Sequence, residues 1–465
     1  MELRIDRQAL VPVVQQIVDA LAGWIRQDGV QPGTRLPSIR QLARENLLSQ
    51  SSVNEACERL VAQGVLAARH GSGFFVAPPP SSSYELSDND WLEDVQLTRD
   101  SVPRNSQWEL KLGCGGLPES WRESDDLGYA IRQVTRTDMA GVFNYSTPMG
   151  LPALREQLSR RLKQFNIQAD ANLILTTTGA THGLDLIVRT LLEPGCCVVV
   201  ESPGYSKLFD LLRLHGIDMI ELPRTPRGPD VDAFQCLLAT RRPSALFVNS
   251  ACHNPTGSSL APAVAQQLLQ LAKKHAILVV EDDVYADFQS STRTRLAALD
   301  SDVVYVGSFS KTLSSSLRVG FIVAGSSVIT RLRDVKDITS MGSSRFCESV
   351  LANLLASGAY RKLVQRQRQR LSVDMAAVLQ VLEDADWEVF GRPAGGLFIW
   401  ARPPLCDYAA LQRLAKRFGV VLSSRTAFSP SGAVSDWLRI NVTHACDARA
   451  LAFFRAAALD RPQLS

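Results

Sequence analysis

No apolar run in these 465 residues is long enough to cross a bilayer. The longest charge-free stretches, such as Val319 to Thr330, fall short of the ~30 Å of hydrocarbon they would have to span. No Cys-x-x-Cys pair occurs among the nine cysteines, an odd number scattered from Cys57 to Cys446, which argues against a zinc ribbon or a disulfide framework. No metal site is expected. An excess of charge of one sign is also missing, since 50 Lys+Arg against 47 Asp+Glu leave +3. A polybasic coat is excluded, and 45% hydrophobic residues exclude wholesale disorder. The start, Met1 to Arg7, lacks the basic-then-apolar order of a signal peptide, so a reducing, cytoplasmic setting is expected.

What is present is length and order. At ~150 residues per domain the chain holds about three structural units. A sharp break falls at Pro78-Pro79-Pro80-Ser81-Ser82-Ser83, and residues 78–107 read as a solvated acidic linker. Residues 1–77 suffice for one small domain. Residues 108–465 alternate β-branched runs with helical patterns, the signature of an α/β fold with a mostly parallel sheet. The expected strands are Leu173–Thr177, Cys197–Val200, Met219–Leu222, Ala245–Val248, Ile277–Glu281, Val303–Val306 and Val319–Ala324. From about residue 341 the pattern turns to long helices and two short strands, near Leu397 and Leu438, which reads as a smaller α+β subdomain.

In the first 77 residues, Ser38 to Asn46 and Gln50 to Gln63 read as two helices around a tight turn, with Ser49 placed to cap the second. Arg69 to Val76 then reads as a glycine-tipped hairpin. The run Pro32-Gly33-Thr34-Arg35-Leu36-Pro37-Ser38-Ile39-Arg40-Gln41-Leu42-Ala43, with Ser49 to Leu60 and Gly71 to Val76, resembles the GntR-family winged helix over essentially the whole domain. That resemblance implies double-stranded DNA as partner, with contacts from Arg40, Gln50, Ser51, Ser52, Asn54, Arg69 and His70. Gln50 departs from the Arg common at its position in that family. By electrostatics alone the domain is unremarkable, since its eight Arg meet seven acidic residues and leave +1. Pattern alone is equally compatible with a small helical interaction domain.

Further on, several short motifs follow strands in a fixed order, and each is weak by itself. A lone Lys311 is most often a solvated surface residue. On the Ser-rich turn Ser308-Phe309-Ser310-Lys311, with Arg318 nearby, it suits a Schiff base beside an anchored phosphate. Glu281-Asp282-Asp283 could be a mere charge run, and Asn254-Pro255-Thr256-Gly257 a simple turn. Thr178-Gly179-Ala180-Thr181 joins a strand to a helix and so presents backbone amides to a phosphate. Together these motifs resemble the fold-type I, pyridoxal-phosphate-dependent aminotransferases from about Trp108 onward. The resemblance implies pyridoxal 5'-phosphate joined to Lys311, the proton shuttle, with Asp282 on the pyridine nitrogen and Tyr285 and Asn254 on the ring hydroxyl oxygen. It further implies Tyr205 stacked on the ring, and a phosphate held by Gly179, Ala180, Thr181, Ser308, Ser310 and Arg318. Tyr145 would reach the phosphate of a partner subunit, and Arg439 would grip a substrate carboxylate.

A GntR-like winged helix linked to such a domain resembles the MocR subfamily of bacterial regulators. That implies a transcriptional regulator sensing pyridoxal phosphate and an amino acid or related amine. Its domain-swapped, head-to-tail homodimer would bind a promoter with two half-sites. The alternative is an active aminotransferase with an appended DNA-binding domain, because no catalytic position is lost. A DNA-binding dimer whose α/β domain is only a scaffold would leave Lys311, Asp282, Asn254 and Arg439 together without a reason.

Overall fold

Apolar residues at helical spacing assemble the N-terminal unit. Ile17, Val18 and Leu21 of α1 (Val13–Gln27) pack on Leu42 and Ala43 of α2 (Ile39–Glu45) and on Val53, Ala56, Cys57 and Leu60 of α3 (Gln50–Ala62). Each short helix starts at a serine: Ser38 Oγ accepts from Gln41 N at 3.2 Å, and Ser49 Oγ from Ser52 N at 3.0 Å. Such caps satisfy amides that the helix itself leaves without acceptors. Between α2 and α3 the chain turns through Leu47, which has φ +52° and is 80% exposed. β1 (Leu66–Arg69) and β2 (Gly73–Val76) pair antiparallel, with Leu66 opposite Val76, and form the wing.

The computed structural model describes residues 3, 5–6, 12–27, 30–62, 64–69, 73–77, 109–121, 124–289, 294–405 and 407–459. Its contacts divide into two compact units, Met1–Ser106 and Gln107–Ser465. The linker expected at 78–107 and His70 at the wing tip lie outside the described residues.

In the second unit, strands rich in Val, Ile and Leu form an eight-stranded sheet. They are β3 (Ile174–Thr177), β4 (Cys197–Ser202), β5 (Asp218–Thr225), β6 (Gly228–Pro229), β7 (Ala245–Val248), β8 (Leu278–Asp282), β9 (Val304–Ser308) and β10 (Gly320–Val323). The spatial order is β3-β10-β9-β8-β7-β4-β5-β6. β5, β4, β7, β8 and β9 are parallel, whereas β10 runs antiparallel to both its neighbours. Every residue of β3, β7 and β10 is buried, as expected of a sheet covered on both faces. Side chains alternate between two apolar layers: Val198 and Val200 enter one, Val199 the other.

The smaller subdomain pairs β11 (Glu388–Val389), β12 (Phe398–Arg402) and β13 (Leu438–Asn441) in an antiparallel sheet. Its core joins Met375, Val378 and Leu382 of the long helix Ala359–Asp384 to Ile399, Ala401, Leu438 and Ile440. No helix of the described residues is long and apolar enough to cross a membrane.

Candidate cofactor site and DNA-binding face

β3, β4, β7, β8 and β9 end on one edge of the sheet, and β10 begins there because it runs the opposite way. Open α/β sheets place ligands on that edge. A cavity there is lined by Ala180 and Thr181 after β3, Tyr205 after β4, Asn254 after β7, and Asp282 and Tyr285 around the end of β8. Ser308, Ser310 and Lys311 line it from the end of β9, and Arg318 from the approach to β10.

The three adjacent acidic residues of the β8 end have separate destinations. Glu281 accepts from Leu296 N and Ala297 N at 2.9 and 2.8 Å, and Asp283 pairs with Arg295 and with the Tyr305 hydroxyl. Only Asp282 faces the cavity, where its carboxylate accepts from Val284 N at 3.2 Å. Burial pushes its pKa up to about 7, with the neighbouring Lys311 pulling the other way. A carboxylate so desolvated gains strongly from a cationic partner.

Lys311 Nζ donates to Gly115 O at 3.0 Å and lies 5.9 Å from the Tyr285 ring centroid. Burial, reinforced by the charge of Arg439, lowers its pKa and favours the nucleophilic free amine. The β3 turn has a left-handed glycine, Gly179 at φ +81°, at the N-terminus of the helix Ala180–Leu191, where no side chain caps the amides. A side chain at this φ would be strained, and a Cβ on Gly179 would also lie 2.6 Å from Arg318 Nη2, which would have to shift. Beside this turn, Ser308 Oγ accepts from Ser310 N at 3.2 Å, and the buried Ser310 Oγ has no hydrogen-bond partner.

Arg439, on β13, stands behind Asn254. Its Nη1 donates to Asn254 Oδ1 at 2.7 Å, and its Nε and Nη2 donate to Gly113 O at 3.2 and 2.7 Å. The Phe398 and Phe428 rings flank the guanidinium at 4.8 and 4.7 Å. A Cβ on Gly115 would lie 3.6 Å from Arg439 Nη2 and 3.8 Å from Lys311 Nζ, so the two cations meet across that glycine. Tyr145 does not join the group. It is 80% exposed, on a loop anchored where Ser146 Oγ and Leu151 N donate to Glu348 at 2.6 and 2.8 Å.

Several cavity residues escape the sequence motifs. Asn249, directly after β7, donates from its side chain to Asp282 O at 2.6 Å and accepts from Asn254 N at 2.8 Å, so it ties two site loops together. Its position at a strand end is a signal that sequence reading could have used. Leu117, Trp121 and Val284 also line the cavity, and nothing in their spacing announces it. His253 is buried against Thr256 and Glu201, and His182 Nδ1 accepts from Thr178 N at 3.0 Å; both serve the local backbone and side-chain structure.

In the N-terminal unit, Arg40, Gln50, Ser51 and Arg69 are exposed, while Ser52 and Asn54 are half-buried. Asn54 Nδ2 donates to Glu58 Oε1 at 2.8 Å, and the Arg69 guanidinium lies 4.5 Å over the Phe75 ring. Gln50, Ser51 and Ser52 form the first turn of α3.

Residues 110–453 match the family described as Aminotransferase class I and II, and residues 13–76 match the bacterial regulatory proteins of the gntR family. The chain therefore belongs to the aminotransferase class I and II family and has a GntR-type helix-turn-helix domain at its N-terminal side. It is 29% identical over 413 residues to the uncharacterized HTH-type transcriptional regulator YdfD of Bacillus subtilis, covering 84% of each chain. It is 31% identical over 329 residues to the 2-aminoadipate transaminase of Thermus thermophilus, covering 69% of this chain and 80% of that one. Among solved structures, LysN, the alpha-aminoadipate aminotransferase of Thermus thermophilus complexed with N-(5'-phosphopyridoxyl)-L-leucine, superposes with TM-score 0.69. It is 25% identical, with 79% of this chain and 99% of that one covered.

The residues fit pyridoxal phosphate. An uncapped helix N-terminus, an orphaned Ser310 hydroxyl and Arg318 suit a phosphate, the desolvated Asp282 suits a protonated ring nitrogen, and Lys311 suits an aldehyde. Pyridoxal phosphate is the cofactor of this domain.

Proposed function

We propose that this chain is a pyridoxal-phosphate-dependent, DNA-binding transcriptional regulator of the cytoplasm. Its large domain senses the cofactor and an amino acid or related amine. The observation that carries the reading is the pairing, on one chain, of a GntR-type helix-turn-helix with a cavity that retains lysine, aspartate and phosphate cup. When bound, the cofactor supplies an electrophilic aldehyde on a ring that accepts electrons.

The chain's own residues supply the rest. Asp282 keeps the proton on the ring nitrogen, and Asn254 and Tyr285 hold the ring hydroxyl oxygen. Tyr205 and Val284, which both line the cavity, would pack against the ring. Lys311 Nζ would hold the aldehyde end of the cofactor and move protons beside it. Arg439, rigid between two phenyl rings, offers a planar fork to a carboxylate. Tyr145, exposed on its anchored loop, would serve the partner subunit of a domain-swapped homodimer.

The test is an absorption titration of the purified full chain, loaded with pyridoxal phosphate, with amino compounds and a keto acid. A saturable spectral change without turnover supports a sensor, whereas cycling at ~1 per second or faster would make the chain an aminotransferase. Borohydride should fix the cofactor to a peptide containing Lys311, and Lys311→Ala should abolish that adduct. Fixation on a peptide without Lys311 overturns the assignment.

A further inference from the structure

Once the cofactor's contacts are assigned, Leu117 and Trp121 are among the cavity residues left without a task, and both are apolar. Leu117 and Trp121 follow the segment Gly113–Gly116, whose carbonyls at Gly113 and Gly115 take Arg439 and Lys311. One strip of chain thus touches the carboxylate fork, then the amine, and then presents a leucine and an indole to the same cavity. Trp121 is 4% exposed and packs in one cluster with Tyr285, Phe398 and Leu371. The Arg370 guanidinium lies 4.0 Å over its ring, which holds the indole in place from outside.

The charges of the cavity wall are all engaged on the reading above: Asp282 with the ring, Lys311 with the aldehyde and Arg318 with the phosphate. Arg439 behind the wall takes the ligand's carboxylate. Among the described wall residues of one subunit no further cation or carboxylate is present to meet a charged ligand side chain. Burying such a charge unpaired is costly, whereas an apolar side chain leaves water for a leucine and an indole.

We propose that the ligand is an α-amino acid with a large apolar, preferably aromatic, side chain seated against Leu117 and Trp121, and that Trp121 determines this specificity. The proposal rests on the reading of the cavity as an amino-acid sensor. It separates this chain from the 2-aminoadipate transaminase it resembles, whose named substrate has a second carboxylate.

The experiment titrates the full-length holoprotein with L-phenylalanine, L-alanine and L-glutamate, following cofactor absorption and tryptophan emission. Phenylalanine should reach half-saturation at a concentration at least about tenfold below glutamate. Trp121→Ala should raise the phenylalanine midpoint about tenfold and leave alanine unchanged. Leu117→Arg, which adds a cation to the wall, should shift the preference toward glutamate. Phenylalanine should also change the emission of the native protein more than that of Trp121→Phe. A glutamate midpoint at or below that of phenylalanine overturns the proposal while leaving the sensor reading intact. An equal shift for all three ligands in Trp121→Ala overturns it likewise. No spectral response to any of the three removes the sensor reading and the proposal with it.

Discussion

Asp282 shows how a single buried group sets a measurable pH dependence. Without cofactor its carboxyl holds a proton up to about pH 7, against about 4 for an unfolded aspartate. The folded state therefore binds the proton more tightly, and between about pH 4 and 7 rising pH removes stability from the cofactor-free fold. Asp282→Asn abolishes this contribution. Its cofactor-free melting temperature should exceed that of the native protein at pH 8, with the difference vanishing at pH 4, and its affinity for pyridoxal phosphate should fall. Equal pH slopes for the two proteins would show that Asp282 is not desolvated. The same residue marks the limit of reading a sequence at this scale. Glu281, Asp282 and Asp283 look alike on paper, and only the fold sends them to the Leu296–Ala297 amides, the cavity and Arg295 respectively. Gly179 was legible because a strand-to-helix turn constrains its own backbone. Trp121 was not, because its place depends on residues distant in the chain, including Tyr285 and Arg370.

Elements were legible where local chemistry decides them. Ala245–Val248 forms a strand with the expected bounds, because four consecutive buried apolar residues leave no other arrangement that fits a covered sheet. β8 and β9 run to Asp282 and Ser308, beyond the expected Glu281 and Val306, since polar strand ends give no hydrophobic signal. Pairing was less legible than position: β10 lies between β3 and β9 and antiparallel to both, an arrangement set by long-range packing. The α2–α3 turn offers a test of backbone energetics. Leu47 adopts φ +52° with its side chain 80% exposed, a backbone region that disfavours branched L-residues by roughly 1–2 kcal/mol. Glycine relieves that penalty but adds freedom to the unfolded chain. Leu47→Gly should therefore stabilise the N-terminal unit by about 0.5–1 kcal/mol, read as a higher midpoint in its thermal unfolding. A lowered midpoint would mean that the leucine side chain makes contacts worth more than the backbone penalty.

For the whole molecule the governing quantity is how weakly one DNA-binding unit holds its target. Residues 1–77 have eight Arg against seven acidic residues, and α3 itself has Glu55 and Glu58 beside a single Arg59. Phosphate attraction by one unit is therefore small, and in the proposed homodimer useful affinity should come from two units acting together. Base reading adds a second constraint. Gln50 is exposed in the first turn of α3 with Ser51 beside it, and a glutamine amide matches the N6 donor and N7 acceptor of adenine, where arginine would match guanine. The full chain should bind DNA with two adenine-containing half-sites at least about a hundredfold more tightly than DNA with one, at fixed salt. Gln50→Ala should cost about 1–3 kcal/mol at a single base pair of each half-site and little elsewhere. A gel-shift series over single-base variants reads both effects. Equal affinity for one and two half-sites would remove avidity from the explanation, and a uniform loss across all sequences would reassign Gln50 from base reading to backbone contact.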